Sequence, residues 1–420
     1  MSKMIIHGGK KLSGEITISG AKNSTVAIIP ASILSETPVT LDSVPHIEDV
    51  KNLRFILEDM NVTSKFINDR LIINPMNIVY KPLFDNKVKM MRASYYFMGA
   101  LLSRFGKAEV GLPGGDDIGA RPIDQHIKGF LSLGAKVIRK NGVIILNAPK
   151  EGLHGAHITL DIASVGATMN LLLAAVKTKG QTIIENVAKE PEIIDLATFL
   201  NNMGAHIRGA GTNVIRINGV KHLKSNNSHT IIPDRVETGT YLSLAATVGN
   251  GINIKNVILE HLDAFLAKLE AIGVKMDSTE DSIFVYPSGY LSSINIETSP
   301  YPGFATDLQQ PITPLLLKAH GQSTVTDNIY PERTSHVPQL VKMNADIRIK
   351  NNTIFVQHSN ELRGTIVSAD EIRGGACLMI AGLMAKGKTI ITNVDNILRG
   401  YSNVVNKLNG IGADVKIIKD

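Results

Sequence analysis

The chain has 420 residues, of which 44% are hydrophobic and 20% charged. This length exceeds what one ordinary hydrophobic core holds, so two domains of roughly 200 residues are expected. The net charge of +6 is spread along the sequence, which favours a globular protein with small anionic ligands. An aromatic content of 5% and the lack of tryptophan argue against base-stacking nucleic-acid binders.

The single cysteine, Cys377, excludes an internal disulfide and a cysteine-based zinc site. It lies in an apolar run, which indicates a core residue. The N-terminal apolar run is too short for a signal peptide, and no stretch is apolar enough to span a membrane. We therefore expect a cytoplasmic protein. The histidines and carboxylates lack the spacing of metal ligands, so we expect neither a metal nor a cofactor.

A three-residue signature recurs six times at intervals close to 70 residues, which indicates a repeat architecture. Its copies are Met60–Val62, Leu133–Ala135, Met203–Ala205, Ile272–Val274, Met343–Ala345 and Ile411–Ala413. The middle residue is Gly or Asn, as in a helix C-cap with positive φ. A helical pattern precedes the signature and two β-rich runs follow it, so each unit is predicted to be β-α-β-α-β-β.

The sixth unit is incomplete, because only one β-rich run remains after Ile411–Ala413. The N-terminal segment, with Met4-Ile-Ile and Leu12-Ser-Gly, resembles the segments that end earlier units. Since an unpaired hairpin strand leaves backbone groups unsatisfied, residues 1 to about 21 are predicted to complete the last unit. The first domain is then 22–231, and the second combines 1–21 with 232–420. The groove between them is the expected binding site.

A polar loop with three glycines and two prolines interrupts the second unit between Leu112 and His126. Pro and Gly exclude an interior strand or the middle of a helix, and a helix is predicted to start near Arg121 and Pro122. Long irregular loops in compact domains are usually functional. We interpret the segment of about 112–121 as a lid over the groove.

The six predicted helix starts are unusually polar, and four carry a cation, at Lys22, Arg92, Arg235 and Arg373. Helix N-termini bind anions through free N–H groups and the helix dipole. Capping accounts for Ser and Thr at such positions, but it does not account for cations. The pattern therefore predicts a groove that binds phosphate or carboxylate groups.

Several of these segments together resemble the UDP-N-acetylglucosamine enolpyruvyl transferase family over essentially the whole chain. The matching motifs are Gly20–Asn23, Met91–Ser94, Leu112–His126, Ser164–Thr168, Glu190–Ile193, Pro233–Thr240, Thr306–Asp307 and Arg399–Tyr401. The resemblance implies a two-domain inside-out α/β barrel of the EPSP synthase superfamily, with three units per domain. It also implies transfer of the enolpyruvyl group of phosphoenolpyruvate to the 3-hydroxyl of UDP-N-acetylglucosamine, the first committed step of peptidoglycan synthesis. The partners implied are these two small molecules, and we expect a monomer without nucleic-acid or membrane partners.

The resemblance also assigns roles on the phosphoenolpyruvate side of the site. Lys22, Arg121 and Arg399 correspond to cations around the phosphate and carboxylate, and Asn23 to a residue that touches both substrates. Asp307 corresponds to the carboxylate at the sugar 3-hydroxyl and is the candidate base.

On the sugar-nucleotide side, Arg92 and the turn formed by Arg121, Pro122, Ile123, Asp124 and Gln125 correspond to residues at the uridine diphosphate. Ile329 corresponds to a residue at the sugar nucleotide. Arg333 corresponds to an arginine associated with domain closure.

The sequence departs from the family pattern at the loop tip, where Asp116 stands in place of the usual Cys. A carboxylic acid can protonate the enol methylene if its pKa is raised, so Asp116 is the candidate general acid. We expect insensitivity to fosfomycin, which alkylates that Cys. Glu371, Asn396 and Leu398 also depart from the pattern. They leave open a catalytically weakened paralogue that only binds the sugar nucleotide; a 3-phosphoshikimate enolpyruvyl transferase is the other alternative.

Overall fold

The computed structural model describes residues 2–84, 88, 91–112, 114 and 122–419. The predicted acid Asp116 and the predicted cation Arg121 therefore lie outside the described residues. The α-helices described are Lys22–Ala31, Glu48–Asp59, Tyr96–Phe105, Asp124–Ser132, Val165–Ala175, Pro191–Asn202, Arg235–Val248, Asp263–Ile272, Thr306–Leu316, His336–Lys342, Ile372–Met384, Asp395–Leu398 and Val404–Gly410. Short 3₁₀ turns occupy Ser32–Leu34, Arg92–Tyr95 and Leu259–His261. Among these helices, none is long and apolar enough to cross a bilayer.

Each of the six units contributes one small sheet. The strands of each sheet are given below in their order across the sheet, so that each strand is hydrogen-bonded to the next one named. In that spatial order, the first sheet holds His229–Thr230, Val39–Asp42, Arg70–Asn74 and Thr63–Ile67; the second Lys107–Gly111, Val143–Asn147 and Lys136–Lys140; the third His157–Thr159, Gln181–Glu185, Val214–Asn218 and His206–Arg208. The fourth holds Leu12–Thr17, Gly249–Lys255, Ser282–Val285 and Met276–Ser278; the fifth Asn295–Glu297, Gln322–Thr326, Thr353–Gln357 and Ile347–Lys350; the sixth Ile366–Ser368, Lys388–Thr392, Ser2–His7 and Asp414–Lys419.

The recurrent signature ends the second helix of each unit, as predicted. Its middle residue has a positive φ in all six copies, with values of 60°, 92°, 101°, 99°, 70° and 93° in chain order. Glycine adopts this conformation without a steric penalty, and asparagine tolerates it better than most residues. The sequence pattern therefore located the six turns that lead from the second helix of each unit to the strand that follows it.

The second unit departs from the predicted β-α-β-α-β-β order. In its described residues the first strand is reduced to a single parallel bridge between Leu83 and Val110. The other five units each have a four-stranded sheet whose outer strand pairs in parallel with its neighbour. The unit that carries the polar loop is thus also the one with the least regular sheet.

The N-terminal segment serves two units. Ser2–His7 pairs antiparallel with both Lys388–Thr392 and Asp414–Lys419, which confirms that it completes the sixth sheet. Leu12–Thr17 instead pairs in parallel with Gly249–Lys255 and is the first strand of the fourth unit. The expectation that residues 1 to about 21 complete the last unit therefore holds for Ser2–His7 and is wrong for Leu12–Thr17.

The buried apolar side chains form two clusters. The first core draws on residues 21–231, and the second core combines 4–18 with 236–415. At the centre of each lie the first helices of three units, which are buried almost all round, as the apolar sequences of Val165–Ala175 and Ile372–Met384 predicted. Cys377 is buried in the second of these helices, as expected. The two cores support the predicted domain boundaries, which we retain as a proposal.

The chain passes between the two cores at two adjacent segments. Gly20 and Pro233 form an antiparallel bridge, and the Ala21 N–H donates to the Ile232 carbonyl at 2.7 Å. A side chain at Gly20 would collide with the Ser43 backbone, so only glycine fits this close approach. The paired crossing segments place the starts of the helices Lys22–Ala31 and Arg235–Val248 side by side.

Candidate active site

Asp307 lies in the first turn of the helix Thr306–Leu316 and accepts from two buried arginines. Arg333 Nη1 is 2.6 Å from Asp307 Oδ1, and Arg373 Nε is 3.2 Å from Asp307 Oδ2. Both arginine side chains are only 3% exposed. Burial alone would raise the pKa of Asp307, but the charges of Arg333 and Arg373 hold that pKa well below its usual range. Asp307 is therefore an ionised, ion-paired carboxylate.

Arg333 is also held by Glu371, whose carboxylate is buried. Its Nε and Nη2 atoms are each 3.0 Å from Glu371 Oε2, and Gln310 donates to the other Glu371 oxygen. These partners all belong to the second core, so the arrangement fixes the side chain of Arg333 within that core. The predicted role of Arg333 in domain closure stays a prediction.

A separate buried carboxylate, Asp49, joins Lys22 to Arg399. Lys22 Nζ lies 3.1 Å from Asp49 Oδ2, and Arg399 Nε lies 3.0 Å from Asp49 Oδ1. Burial would raise the pKa of Asp49, but Lys22 and Arg399 lower it below its usual value. The Arg373 guanidinium, which belongs to the other ion-pair cluster, lies over the ring of Tyr401 at 5.2 Å, two residues after Arg399. The two clusters therefore adjoin each other.

Three of the predicted site residues, Lys22, Arg399 and Asp307, are thus brought together. Asn23 follows Lys22 at the start of the same helix and is half-buried. A second ion pair between the cores lies nearby: Arg235 Nε is 3.0 Å from Glu192 Oε1. Arg235 directly follows Asp234, whose carboxylate accepts from the Lys22 backbone N–H at 2.9 Å, so this pair lies beside the start of the helix Lys22–Ala31.

The residues predicted for the uridine diphosphate surround the helix start at Asp124. Arg92 stands over the Tyr95 ring at 5.4 Å. Gln125 is buried, and its amide nitrogen donates to Asp124 at 2.7 Å and to Asp161 at 3.1 Å. The helix begins at Asp124, slightly later than predicted.

The neighbouring positions form the edge of the same site. Pro122 is exposed, whereas Ile123 is buried. Arg121, which joins this turn to the loop, lies outside the described residues. The sugar-nucleotide assignment of these positions remains a prediction from the family resemblance.

Ile329 lies in a loop that Asp327 organises. Asp327 Oδ1 accepts from the backbone N–H groups of Ile329 and Tyr330, both at 2.9 Å. The other oxygen, Oδ2, accepts from the Thr306 hydroxyl at 2.6 Å. Since Thr306 immediately precedes Asp307, this aspartate fixes the Ile329 loop next to the ion-paired carboxylate.

Sequence reasoning missed Asp49 and Asp327. Asp49 follows Glu48 in the first turn of a helix, where acids are common because they favour the helix dipole. The one signal in the sequence was spacing, because Asp49 stands four residues before Leu53 and seven before Ile56, on the apolar stripe of the helix. Asp327 follows a strand in the fifth unit, where a turn-forming aspartate is ordinary. Within the described residues, no group of three or more His, Cys, Asp or Glu side chains is arranged to hold a metal ion.

The comparisons with known proteins agree with one another. Residues 6–408 match the family model of EPSP synthase (3-phosphoshikimate 1-carboxyvinyltransferase). The UDP-N-acetylglucosamine 1-carboxyvinyltransferase 2 of Latilactobacillus sakei subsp. sakei (strain 23K) is 67% identical over 420 residues, which is 100% of both chains. A UDP-N-acetylglucosamine 1-carboxyvinyltransferase of Streptococcus pneumoniae (strain Hungary19A-6) is 57% identical, again over 100% of both chains.

Two solved structures share the fold. The enolpyruvyl transferase NikO from Streptomyces tendae superposes with a TM-score of 0.91 at 23% identity, covering 100% of this chain and 99% of that one. An EPSP synthase from Acinetobacter baumannii superposes with a TM-score of 0.74 at 16% identity, over 100% of both chains. The predicted enolpyruvyl transferase fold is confirmed.

Proposed function

Because the chain belongs to the UDP-N-acetylglucosamine 1-carboxyvinyltransferase family within the wider EPSP synthase family, we propose that it transfers the enolpyruvyl group of phosphoenolpyruvate to the 3-hydroxyl of UDP-N-acetylglucosamine and releases phosphate. The observation that carries this proposal is the convergence of Lys22 and Arg399 on one buried carboxylate, near Asp307. Cations from both cores can there meet one multiply charged substrate.

The reaction requires that the enol methylene carbon gains a proton while the sugar hydroxyl oxygen bonds to the neighbouring carbon. The hydroxyl proton passes to a base. The methyl group formed must lose a proton again when phosphate leaves, because the product regains the carbon–carbon double bond that phosphoenolpyruvate had. The residues therefore have to supply an acid, a base and stabilisation for two anionic groups.

We assign the base to Asp307, whose ionised state is maintained by Arg333 and Arg373. A carboxylate between two guanidinium groups is a weak base, so proton transfer is expected to be late, after the new carbon–oxygen bond has begun to form. Before that, Asp307 orients the 3-hydroxyl as a hydrogen-bond acceptor. Lys22, Arg121 and Arg399 are assigned to the phosphate and carboxylate of phosphoenolpyruvate.

Asp116 is assigned as the acid that protonates the methylene carbon. This role requires a pKa raised by exclusion of water when the lid loop closes. Asn23, Arg92, Pro122, Ile123, Asp124, Gln125 and Ile329 are assigned to the sugar nucleotide. By the same proposal the enzyme acts in the cytoplasm, as a monomer, at the first committed step of peptidoglycan synthesis.

The proposal is tested by measuring phosphate release from phosphoenolpyruvate with and without UDP-N-acetylglucosamine. We expect release only when the sugar nucleotide is present. Release with 3-phosphoshikimate as acceptor instead would favour the shikimate activity. Tight binding of UDP-N-acetylglucosamine without any release would show that the chain is a sugar-nucleotide binder and would overturn the proposal.

A further inference from the structure

Asp49 occupies a place in the site that the assigned roles leave unexplained. Its side chain is 4% exposed, and its two oxygens each accept from a different cation, Lys22 and Arg399. These cations are the two described residues assigned to the anionic groups of phosphoenolpyruvate. The carboxylate itself repels a substrate anion, so its presence between them needs a physical reason.

The local structure holds the Asp49 carboxylate in a fixed position. It lies in the first turn of Glu48–Asp59, where the helix dipole favours its charge. The adjacent Val50 and the next inward-facing residue, Leu53, are buried in the first core. The carboxylate therefore has little freedom to follow a moving partner.

The cations reach Asp49 from different parts of the fold. Lys22 is the first residue of its helix, directly after the crossing segment, and its backbone N–H donates to Asp234 at 2.9 Å. Arg399 follows the short helix Asp395–Leu398 of the second core. Beside this contact, the His46 N–H donates to the Ser402 hydroxyl at 3.0 Å. Asp49 thus sets the separation of two charges that come from the two different cores.

We propose that Asp49 is a positioning residue that holds Lys22 and Arg399 at the separation required by phosphoenolpyruvate, so that its binding depends on how the two cores are placed. This inference rests on the proposed function. Without Asp49 the two cations would repel each other, and their long side chains would be held less firmly. Asp49 counters both effects, because one fixed anion pairs with both cations before substrate arrives.

The test compares Asp49→Asn with the wild-type enzyme in the sugar-dependent phosphate assay. We expect the KM for phosphoenolpyruvate to rise by on the order of 10- to 100-fold, as for a misplaced binding group, while the KM for UDP-N-acetylglucosamine changes by less than about twofold. Asp49→Glu keeps the charge and should give an intermediate value. An unchanged or lowered KM for phosphoenolpyruvate in Asp49→Asn would overturn the inference, because the carboxylate would then only compete with substrate.

Glu192→Gln is the matched control, because it weakens an ion pair that Arg235 forms between the cores and does not touch Lys22 or Arg399. Its KM for phosphoenolpyruvate should stay within about twofold of wild type. An equal rise in both variants would mean that Asp49 acts only by joining the cores, which also overturns the inference.

Thermal unfolding of all variants separates loss of folding from loss of positioning. If Asp49→Asn does not fold, Asp49→Glu carries the test, and a wild-type KM there contradicts it.

Different results would contradict the proposed function and the positioning role of Asp49. Wild-type protein without sugar-dependent phosphate release contradicts the proposed function. In that case calorimetric binding of phosphoenolpyruvate, with UDP-N-acetylglucosamine present, still tests Asp49. Weaker binding by Asp49→Asn than by Glu192→Gln supports the positioning role, and equal binding by the two contradicts it.

Discussion

In Asp307, the same neighbouring side chains stabilise the ionised carboxylate and reduce its basicity. Its side chain is 28% exposed at the start of a helix, and two guanidinium groups that are each 3% exposed satisfy both of its oxygens. An unpaired charge at such a partly buried position would be unfavourable. The arginines therefore stabilise the ionised form, and they also weaken it as a base.

Replacing Asp307 by Asn keeps the size of the side chain but removes its capacity to accept a proton. We expect kcat to fall by on the order of 10²- to 10⁴-fold, as is usual when a general base is lost. Binding of UDP-N-acetylglucosamine, measured by calorimetry, should be partly retained. Asp346→Asn, at an exposed position, is the control for the loss of one negative charge. An unchanged kcat in Asp307→Asn would remove Asp307 from the role of base.

His126 makes stability depend on pH. It is buried, and the Asn170 amide lies 3.1 Å from its Nδ1, which suits a neutral ring that accepts there. Burial, with a smaller effect of Arg92, lowers the pKa of His126 to about 3. The unfolded chain has the ordinary histidine pKa, so it binds a proton first as the pH falls. The contribution to stability is therefore lost as the pH falls below about 6.5.

We expect His126→Gln to reduce this loss. Between pH 7 and 5 the wild-type protein should lose about 2 kcal/mol more free energy of unfolding than the variant does. Denaturant titrations at the two pH values measure this difference. His206→Gln, at an exposed site, should leave the pH dependence as in wild type. The same pH dependence in all three proteins would mean that His126 is not held neutral.

At the scale of elements, the central helices approach one another so closely that they need glycine. A Cβ at Gly99 would lie 2.7 Å from the Asn170 side-chain oxygen and 3.1 Å from Leu173 Cβ, both on the facing helix Val165–Ala175. The Gly99 N–H also donates to that Asn170 oxygen at 2.8 Å. Helix propensity therefore favours alanine at this position, whereas packing against the facing helix favours glycine.

We expect packing to dominate, so that Gly99→Ala lowers the free energy of unfolding by about 1–3 kcal/mol, although alanine favours a helix by up to about 1 kcal/mol. Gly410→Ala is the control, because a Cβ there meets nothing within 4 Å. That variant should be neutral or slightly stabilised in denaturant unfolding. Equal stability of both variants would mean that the central helices can separate at little cost.

The segment around Asp116 is the part of the sequence whose chemistry differs most from the family pattern. A carboxylate forms an ester rather than a stable thioether when alkylated, so fosfomycin should not inactivate the wild-type enzyme. Asp116→Cys should retain turnover and become sensitive to fosfomycin, as time-dependent inhibition assays would show. Asp117→Cys is the neighbouring control and should remain insensitive. An inactive Asp116→Cys variant would contradict the acid role assigned to this position.

At the scale of the whole molecule, the periodic features were predictable from the sequence. The contacts between residues far apart in the sequence were not. Gly134 and Asn344 were identifiable because their conformation excludes most other residues. The pairing of Asp49 with Arg399 joins residues 350 positions apart, and nothing local to either residue indicates the other. The paired arginines of Asp307 were likewise invisible, because Arg333 and Arg373 were recognised only as separate cations.

The second core is discontinuous in sequence, yet its two pieces end side by side. Ser2 pairs with Lys419, so a short glycine-rich linker from residue 420 to residue 1 can close a hairpin. A chain of 232–420, linker and 1–21 should therefore unfold cooperatively in urea when followed by circular dichroism. The matched chain 232–420 alone should show no cooperative transition, because it lacks the strands Ser2–His7 and Leu12–Thr17, which supply buried side chains to the core. Cooperative unfolding of 232–420 alone would contradict the proposed domain boundary, and so would failure of the linked chain to fold, since the second core would then depend on the first.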